Sequence, residues 1–544
     1  MQYDTENLKG DISGGLVAGI IALPLALAFG VQSGLGAAAG LYGAIAVGVF
    51  AAFFGGTRTQ ASGPTGPMTV VSASIVVYAI DRTGSIEEGL GIILLSFLAG
   101  GVFQVGLGLI GIGKYIRYFP YPVVSGFMSG VGLIIIFLQL WPLLGVASPK
   151  TTIEVVTRID EPLGALNGAA LFLGLLTIAV NWGMPKVTTK VPSVLVALLV
   201  GTITAVVIGF DVPTIGDIPS GLPGIELGAI LSVDPEYIGF IVQSGLTLAL
   251  LGSIDSLLTS VIADNITKDR HDSRRELIGQ GIGNSIAALF GGIPGAGATK
   301  GTVVNIKAGG VTRLSGVTHG LFQLAALLGL GALASYIPLS VLAGLLISVG
   351  FAIIDYKGLR HLLRVPRADA AVMLVVLVAT VFGNLIYAVG AGVVMASVLF
   401  MKKAGDLAEE RSRIEKVEMS PSDPAASVLG ERSSIYVKEL YGPLFFGFSS
   451  GFRDLAESLP EEIEALVVQM DDVPYVDQSG LYSLEDTMLT LRQAGKDVII
   501  TGLQPQPEDM LRRIGIVPEL VPEEHLFGSI DELPLIESIV TSEA

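Results

Sequence analysis

The sequence predicts a polytopic α-helical membrane protein whose fourteen spans form a seven-plus-seven inverted repeat, followed by a soluble α/β unit. Three observations predict it. Apolar stretches of transmembrane length recur from residue 12 to about residue 401, with 51% hydrophobic and 15% charged residues and a mean hydropathy of +0.69. A phrase early in the chain, Ala51-Ala52-Phe53-Phe54-Gly55-Gly56, then a Gly/Pro loop and Thr69-Val70-Val71, is answered by Ala287-Ala288-Leu289-Phe290-Gly291-Gly292, a second glycine loop and Thr302-Val303-Val304. Finally, the charge changes at Lys402-Lys403: residues 402–544 hold 12 Lys/Arg against 28 Asp/Glu, a net of −16 out of −17 for the whole chain.

Reading spans from apolar runs and loops from charge, helices fall at 12–31, 36–54, 69–80, 89–112, 122–145, 166–183, 192–209, 237–263, 275–291, 300–308, 314–336, 339–355, 370–386 and 388–401. The first has few basic residues before it and no small-residue cleavage pattern, so it reads as a retained span, with Pro24 breaking it. The third and tenth are too short to cross a bilayer. With both termini cytoplasmic, the inside loops collect Arg58, Lys114, Arg117, Lys186, Lys190, Arg313 and the basic residues of 268–275 and 357–367. The outside loops collect only Arg82, Lys150 and Arg158, and one carries Asp211, Asp217, Glu226, Asp234 and Glu236 with no base. That asymmetry follows the positive-inside rule and supports the count independently of hydropathy.

Seven spans per half force the second half to enter the membrane in the opposite sense. Broken helices at matching places in two such halves mark a transporter's binding site. The two short helices then point their N-termini at each other near the midplane, where unpaired N–H groups and the helix dipoles favour a small anion. The first end reads Ser62-Gly63-Pro64-Thr65-Gly66-Pro67-Met68-Thr69, in which the prolines delay the helix and Thr69 caps it or meets the ligand. The second reads Gly291-Gly292-Ile293-Pro294-Gly295-Ala296-Gly297-Ala298-Thr299-Lys300, whose small residues bare the amides to a ligand.

Asp255 stands in an otherwise apolar and small-polar helix, where a carboxylate costs several kcal/mol unless something pairs with it. Thr259, four residues on, shares its face. A carboxylate, a hydroxyl and loop carbonyls are hard oxygen ligands for a small cation; alternatively Asp255 carries a proton, or pairs with Lys300 for structure alone. Lys300 has three open roles: attracting the anion, pairing with Asp255, or pointing into a water-filled path. Gln280 with Asn284 and His319 with Gln323 read as interhelical packing groups, and Arg360, Arg364 and Arg367 as topology anchors. No nucleophile–base constellation appears and there are no cysteines, so neither an enzyme, a disulfide nor a thiolate metal site is expected. The acidic tail disfavours nucleic acid as a partner.

Four phrases, Ile21-Ala22-Leu23-Pro24-Leu25-Ala26-Leu27-Ala28-Phe29-Gly30, Gly63-Pro64-Thr65-Gly66-Pro67-Met68-Thr69-Val70-Val71, the run from Ile254 to Asp264, and Gly295-Ala296-Gly297-Ala298-Thr299 with Gly301-Thr302-Val303-Val304-Asn305-Ile306, resemble the SulP family of anion transporters with a C-terminal STAS domain. They are most similar to its sodium-dependent bicarbonate branch. The resemblance implies a core domain moving against a gate domain. It implies sodium ligands at Asp255, Thr259, Gly297 and Thr299, and a bicarbonate site at Thr69 and Ala298, with the Gly297 and Thr299 amides adjoining. Many members resembling sulfate or dicarboxylate carriers have Arg at the position of Gly301 and Glu at that of Asp255, so this chain's pair favours a monovalent anion with sodium. Lys300 departs from the bicarbonate branch, where that position is uncharged.

In the tail, 435–440 and 465–470 read as strands, 481–494 as a helix and 497–501 as another strand. Asp477-Gln478-Ser479-Gly480 resembles the STAS Asp-x-Ser-Gly motif, so Ser479 is either a regulatory phosphorylation site or the helix N-cap. The expected organisation is a transmembrane domain over 1–403, with repeats at about 1–210 and 235–403, a linker over 404–433 and a STAS domain over 434–544. The expected function is secondary active import of bicarbonate with sodium by alternating access, without a cofactor, in the inner (plasma) membrane, by a homodimer joined through its STAS domains. Two alternatives stand: a proton-coupled sulfate or dicarboxylate symporter or anion exchanger of the same family, and a membrane-tethered STAS scaffold whose anion site senses.

Overall fold

The computed structural model describes residues 7–114, 119–188, 191–216, 218, 221, 223–383, 385–412, 414–416, 434–445 and 463–530. Arg117, Lys190, Asp217 and residues 417–433 of the expected linker lie outside them. Contacts divide the chain into two units, Met1–Val393 and Val394–Ala544.

Every expected span is helical: α1 (Leu8–Gln32), α2 (Ala37–Phe54), α3 (Gly66–Thr83), α4 (Ile86–Ile110), α5 (Tyr121–Leu143), α6 (Gly168–Val187), α7 (Ser193–Ile208), α8 (Ile238–Thr267), α9 (Ser273–Leu289), α10 (Thr299–Lys307), α11 (Arg313–Ala334), α12 (Leu339–Ile353), α13 (Arg367–Phe382) and α14 (Leu385–Arg411). Among the described residues, seven helices are long and apolar enough to cross a membrane. The chain is therefore a multi-pass membrane protein.

Helix ends follow local chemistry. Ser85, Asn167, Asp272 and Thr312 each turn a side-chain oxygen onto free N–H groups at the starts of α4, α6, α9 and α11. Two expectations need correcting. Pro24 does not break the first span: α1 runs continuously through it for 25 residues, as membrane helices tolerate when neighbours accommodate the freed carbonyl. The third helix is longer than expected: it starts at Gly66, because Pro67 suits a first turn, and runs 18 residues to the left-handed Gly84, about 27 Å at the standard rise, without joining the seven that are long and apolar enough to cross. Of the fourteen, α10, with 9 residues, is the shortest.

Packing sorts the helices into two sets. In one, α4 packs on α8 and α9, α1 on α2, α10 and α11, and α2 on α9 and α11; in the other, α5 packs on α12 and α13, and α6 on α7 and α12. The broken helices and Asp255 belong to the first set.

The second unit holds a sheet of order β3-β4-β5-β6-β7 made from β3 (Ile414–Lys416), β4 (Ser434–Tyr441), β5 (Ile463–Asp472), β6 (Asp497–Thr501) and β7 (Leu526–Phe527), parallel except for β3 against β4. Residue alternation splits its two faces. Leu466, Val468 and Met470 pack with Leu484, Met488 and Leu491 of α15 (Gln478–Gln493), whereas Ile435, Val437, Ala465, Val467 and Ile499 form a second cluster. Asp477, not Ser479, caps α15, accepting from Gly480 N at 2.8 Å. Ser479 is the second residue of that helix and is exposed.

Candidate functional site

The two Gly-Gly phrases deliver their loops to one place. Just before α3 the chain forms β1 (Ser62–Gly63), and just before α10 it forms β2 (Ala296–Gly297); the two pair antiparallel, Ser62 opposite Gly297 and Gly63 opposite Ala296. Antiparallel pairing is what a two-fold axis between inverted halves produces. Ala298 N donates to Ala61 O at 2.8 Å, and Ala61 N donates to Thr302 Oγ1 at 3.1 Å, so the first loop also grips the start of α10. The crossing needs bare backbone: a Cβ on Gly295 would fall on the Gly63 carbonyl, 2.8 Å from Pro64 N.

Side chains of α8 and α9 fasten the crossing. Asn284 brackets Gly295, accepting from its N–H at 2.8 Å and donating to its carbonyl at 3.0 Å, with a further bond to Gln104 Oε1 at 2.9 Å. Gln280 Nε2 donates to Ser62 Oγ at 2.7 Å. The expectation that this pair packs between helices therefore becomes specific: both hold the unwound segments. From α8, Ser256 Oγ accepts from Gly297 N at 3.1 Å.

Asp255 and Thr259 sit one turn apart and reach different halves. Thr65, the residue before α3, donates its hydroxyl to Asp255 Oδ2 at 2.8 Å. Thr259 Oγ1 donates to Gly297 O at 2.9 Å and lies 2.8 Å from Thr299 Oγ1. With the Thr259 proton committed to the carbonyl, Thr299 is the donor of the second bond. Thr259, Gly297 and Thr299 are thus bonded to one another, while Asp255, one turn away, meets Thr65, a residue the sequence reading did not single out.

Thr69 does not cap α3. The cap position is Thr65, and Thr69 lies one turn inside, with 0% of its surface exposed and no hydrogen-bond partner for its hydroxyl among the described residues. Ala298, half-buried, occupies the cap position of α10 without a side-chain bond, and Thr299 and Lys300, both exposed, open that helix. Lys300 makes no hydrogen bond or ion pair among the described residues, so the pairing with Asp255 weighed above is not formed. Gly301 is open to a side chain, its ideal Cβ meeting Ala61 and Ala298 Cβ at 3.4 and 3.6 Å. Next to Asp255, a cavity of about 460 Å³ runs between α3, α5, α8 and α14, lined mainly by aliphatic and aromatic groups such as Val71, Phe127 and Leu250. His319 and Gln323 are buried away from these loops' bonds, Gln323 donating to Gly19 O at 2.9 Å.

Two groups of residues escaped the sequence reading. Thr65 was hidden among prolines. Glu276, Gln60 and Ser260 form a buried network beneath β1; its one sequence signal is that Glu276, Gln280 and Asn284 recur at four-residue spacing on a helix otherwise rich in Gly and small residues.

Residues 8–376 match the sulfate permease family and residues 428–533 the STAS domain. Over 538 residues the chain is 38% identical to the bicarbonate transporter BicA of Picosynechococcus sp., across 97% of this chain and 94% of that protein. The solved transmembrane domain of a cyanobacterium bicarbonate transporter BicA matches at 42% identity with a TM-score of 0.65, over 73% of this chain and 98% of that one. Murine solute carrier 26 family member A9, an anion transporter in the inward-facing state, shares the fold at 19% identity, with a TM-score of 0.83 over 97% of this chain and 91% of that one.

Proposed function

Because this chain belongs to the sulfate permease family and carries a STAS domain, we propose that it is a secondary active transporter importing bicarbonate with sodium by alternating access. One observation carries the reading: Asp255 and Thr259, one turn apart on α8, hold the two opposed loop ends, Thr65 on one side and Gly297 with Thr299 on the other. Bicarbonate is named in the relative that is 38% identical over 97% of the chain.

In this reading the anion sits between the starts of α3 and α10, beside Gly297 and Ala298, whose amides are engaged by Ser256 Oγ and Ala61 O, and is held by the Thr69 hydroxyl and the Thr299 amide. Sodium sits beside it on Asp255, Thr259, the Gly297 carbonyl and Thr299. The helix set carrying these groups moves against the set of α5, α6, α7, α12 and α13, which form the gate. The membrane part runs over 1–403 and the STAS domain over 434–544, with both termini cytoplasmic in the plasma membrane. A homodimer forms through the STAS domains, and exposed Ser479 is available for regulation.

Lys300 favours a second reading, in which its exposed, unpartnered ammonium stands in for sodium. Labelled bicarbonate uptake into proteoliposomes under an imposed sodium gradient separates the two. Sodium coupling predicts that Asp255→Asn abolishes the sodium response and Lys300→Met preserves it. Uptake indifferent to sodium in the unmutated protein, becoming sodium-dependent in Lys300→Met, would establish the second reading instead. Binding without flux would leave only a sensor.

A further inference from the structure

Glu276 is a carboxylate with 1% of its surface exposed and no ion pair among the described residues. Four N–H donors hold it. Oε2 accepts from Gly56 N at 2.9 Å and Thr57 N at 2.8 Å, and Oε1 from Gln60 Nε2 at 2.8 Å and Gln280 Nε2 at 2.9 Å. A carboxylate can only accept, so it forces both glutamines to turn their NH2 groups toward it. Gln60 must then present its oxygen to Ser260, whose hydroxyl lies 2.9 Å away, and Thr57 Oγ1 completes the chain 2.7 Å from Ser260 Oγ. Gln280, held the same way, spends its second hydrogen on Ser62 of β1 and is left with a buried Oε1 that has no partner among the described residues. An amide kept in an orientation that strands its own oxygen is being oriented by something stronger than its own bonding.

We propose that Glu276 is a positioning residue for the cation half of the site: its charge fixes the hydrogen-bond polarity of the Gln60–Ser260 relay, which sets the turn of α8 bearing Asp255 and Thr259 against the first broken loop. Ser260 directly follows Thr259, and its hydroxyl also lies 2.9 Å from Ser256 O, in the turn that Gly297 N meets through Ser256 Oγ. Thr69, by contrast, takes no part in the relay. This inference rests on the reading of Asp255 and Thr259 as sodium ligands.

Glu276→Gln keeps the shape and removes the charge. With a donor now facing Gln60, the amide must flip and Ser260 must change from donor to acceptor. The expected result in proteoliposomes is at least a tenfold rise in half-saturating sodium, with half-saturating bicarbonate at saturating sodium changed less than twofold. Adding Gln60→Glu returns an acceptor to Ser260 and brings half-saturating sodium back within about threefold of the parent. Ser260→Ala breaks the relay at its far end and must give the same sodium-selective loss, which keeps the test decisive if Glu276→Gln does not reach the membrane. Half-saturating sodium within twofold of the parent in Ser260→Ala or Glu276→Gln, or a loss of maximal rate alone that Gln60→Glu does not restore, overturns the proposal. A parent protein indifferent to sodium overturns the underlying reading as well, whereas a sodium-dependent parent with unaffected variants overturns only this role.

Discussion

Replacing Thr259 by valine removes one oxygen from the candidate cation site and almost nothing else. The side chains have the same shape and Thr259 is 0% exposed, so no cavity opens and no surface changes. The lost hydroxyl leaves Gly297 O and Thr299 Oγ1 without a partner they now have at 2.9 and 2.8 Å. Thr299 is exposed and re-solvates, so the stability cost falls on the buried Gly297 carbonyl and is about 1–3 kcal/mol. Gly297 keeps its N–H bond to Ser256, and the β1–β2 crossing survives. For a bound cation, losing one hard oxygen is comparable to losing a hydrogen bond to a charged group, about 1.5–3 kcal/mol, or roughly 10- to 150-fold in affinity. Half-saturating sodium for labelled bicarbonate uptake is therefore expected to rise by that factor in Thr259→Val, with half-saturating bicarbonate at saturating sodium moving no more than about threefold. Thr259→Ser keeps the oxygen and should stay close to the parent. If Thr259→Val, present in the membrane at the parent's level, shows unchanged sodium dependence, Thr259 is not a cation ligand and the hydroxyl serves only to hold Gly297.

Three other predictions follow from the same geometry. Gly295→Ala is expected to abolish uptake and lower the thermal midpoint, because its Cβ meets the Gly63 backbone, whereas Gly301→Ala is expected to be neutral or stabilising by roughly 0.5–1 kcal/mol; equal behaviour of the two in a thermal-shift assay would refute the crossing. At the loop after α12, burial acts to raise the Asp355 pKa, but hydroxyls of Ser125 and Tyr121, each 2.5 Å away, and the N–H groups of Gly358 and Lys357 outweigh it and hold the carboxyl below its usual range. A depressed native pKa gives stability that is present above the unfolded value of about 4 and lost as pH falls through the native one, so Asp355→Asn should melt below the parent at pH 7, with the gap narrowing as pH falls below about 4. Lys150 and Asp81 pair at 2.5 Å between the loop after α5 and the end of α3, joining the two helix sets. Because both are about half exposed, Lys150→Ala should barely change stability, but Asp81→Cys/Lys150→Cys in this cysteine-free chain, joined by a short bifunctional thiol reagent, should arrest uptake until reduced; continued uptake when cross-linked would count against relative motion of the sets.

Hydropathy places the helices in this chain because a bilayer demands length and apolarity, and nothing else along residues 8–411 imitates that. Helix ends are less legible. The run Gly63-Pro64-Thr65-Gly66-Pro67 looks like a loop to its last proline, yet Pro67 fits the first turn of α3, so the helix begins before the sequence seems to allow it. The i, i+4 spacing of Asp255 and Thr259 puts them on one face, and the structure has both turned to the crossing. That they engage opposite halves is invisible in the spacing, since it depends on where two loops more than two hundred residues apart cross. Glu276 is masked differently: after Arg274 and Arg275 it reads as one more interfacial charge, and only the fold brings Gly56 and Thr57 over it. Ser479 shows the limit of motif reading, because Asp477 two residues earlier competes for the same cap and is the residue that makes the bond.

Charge balance is what the site must still satisfy, and it makes Lys300 decisive. Two helix N-termini bring roughly half a positive charge each, enough together to meet one monovalent anion. Asp255 brings one negative charge, which a sodium ion would cancel. Without Lys300, bicarbonate and sodium therefore leave the site near neutral, the condition for carrying both through an apolar interface cheaply. An ammonium added at the start of α10 breaks that balance, and only three arrangements restore it: Lys300 turned out to water, sodium dispensed with, or a divalent anion carried in place of bicarbonate. Lys300 makes no ion pair with Asp255 among the described residues, which leaves that carboxylate for a cation, and sodium coupling is the reading proposed because Asp255 and Thr259 hold the two opposed loop ends. Each arrangement predicts a different response of Lys300→Met: no change, a new requirement for sodium, or a loss of divalent-anion transport. One substitution, read against three substrates, thus assigns the charge of the cargo.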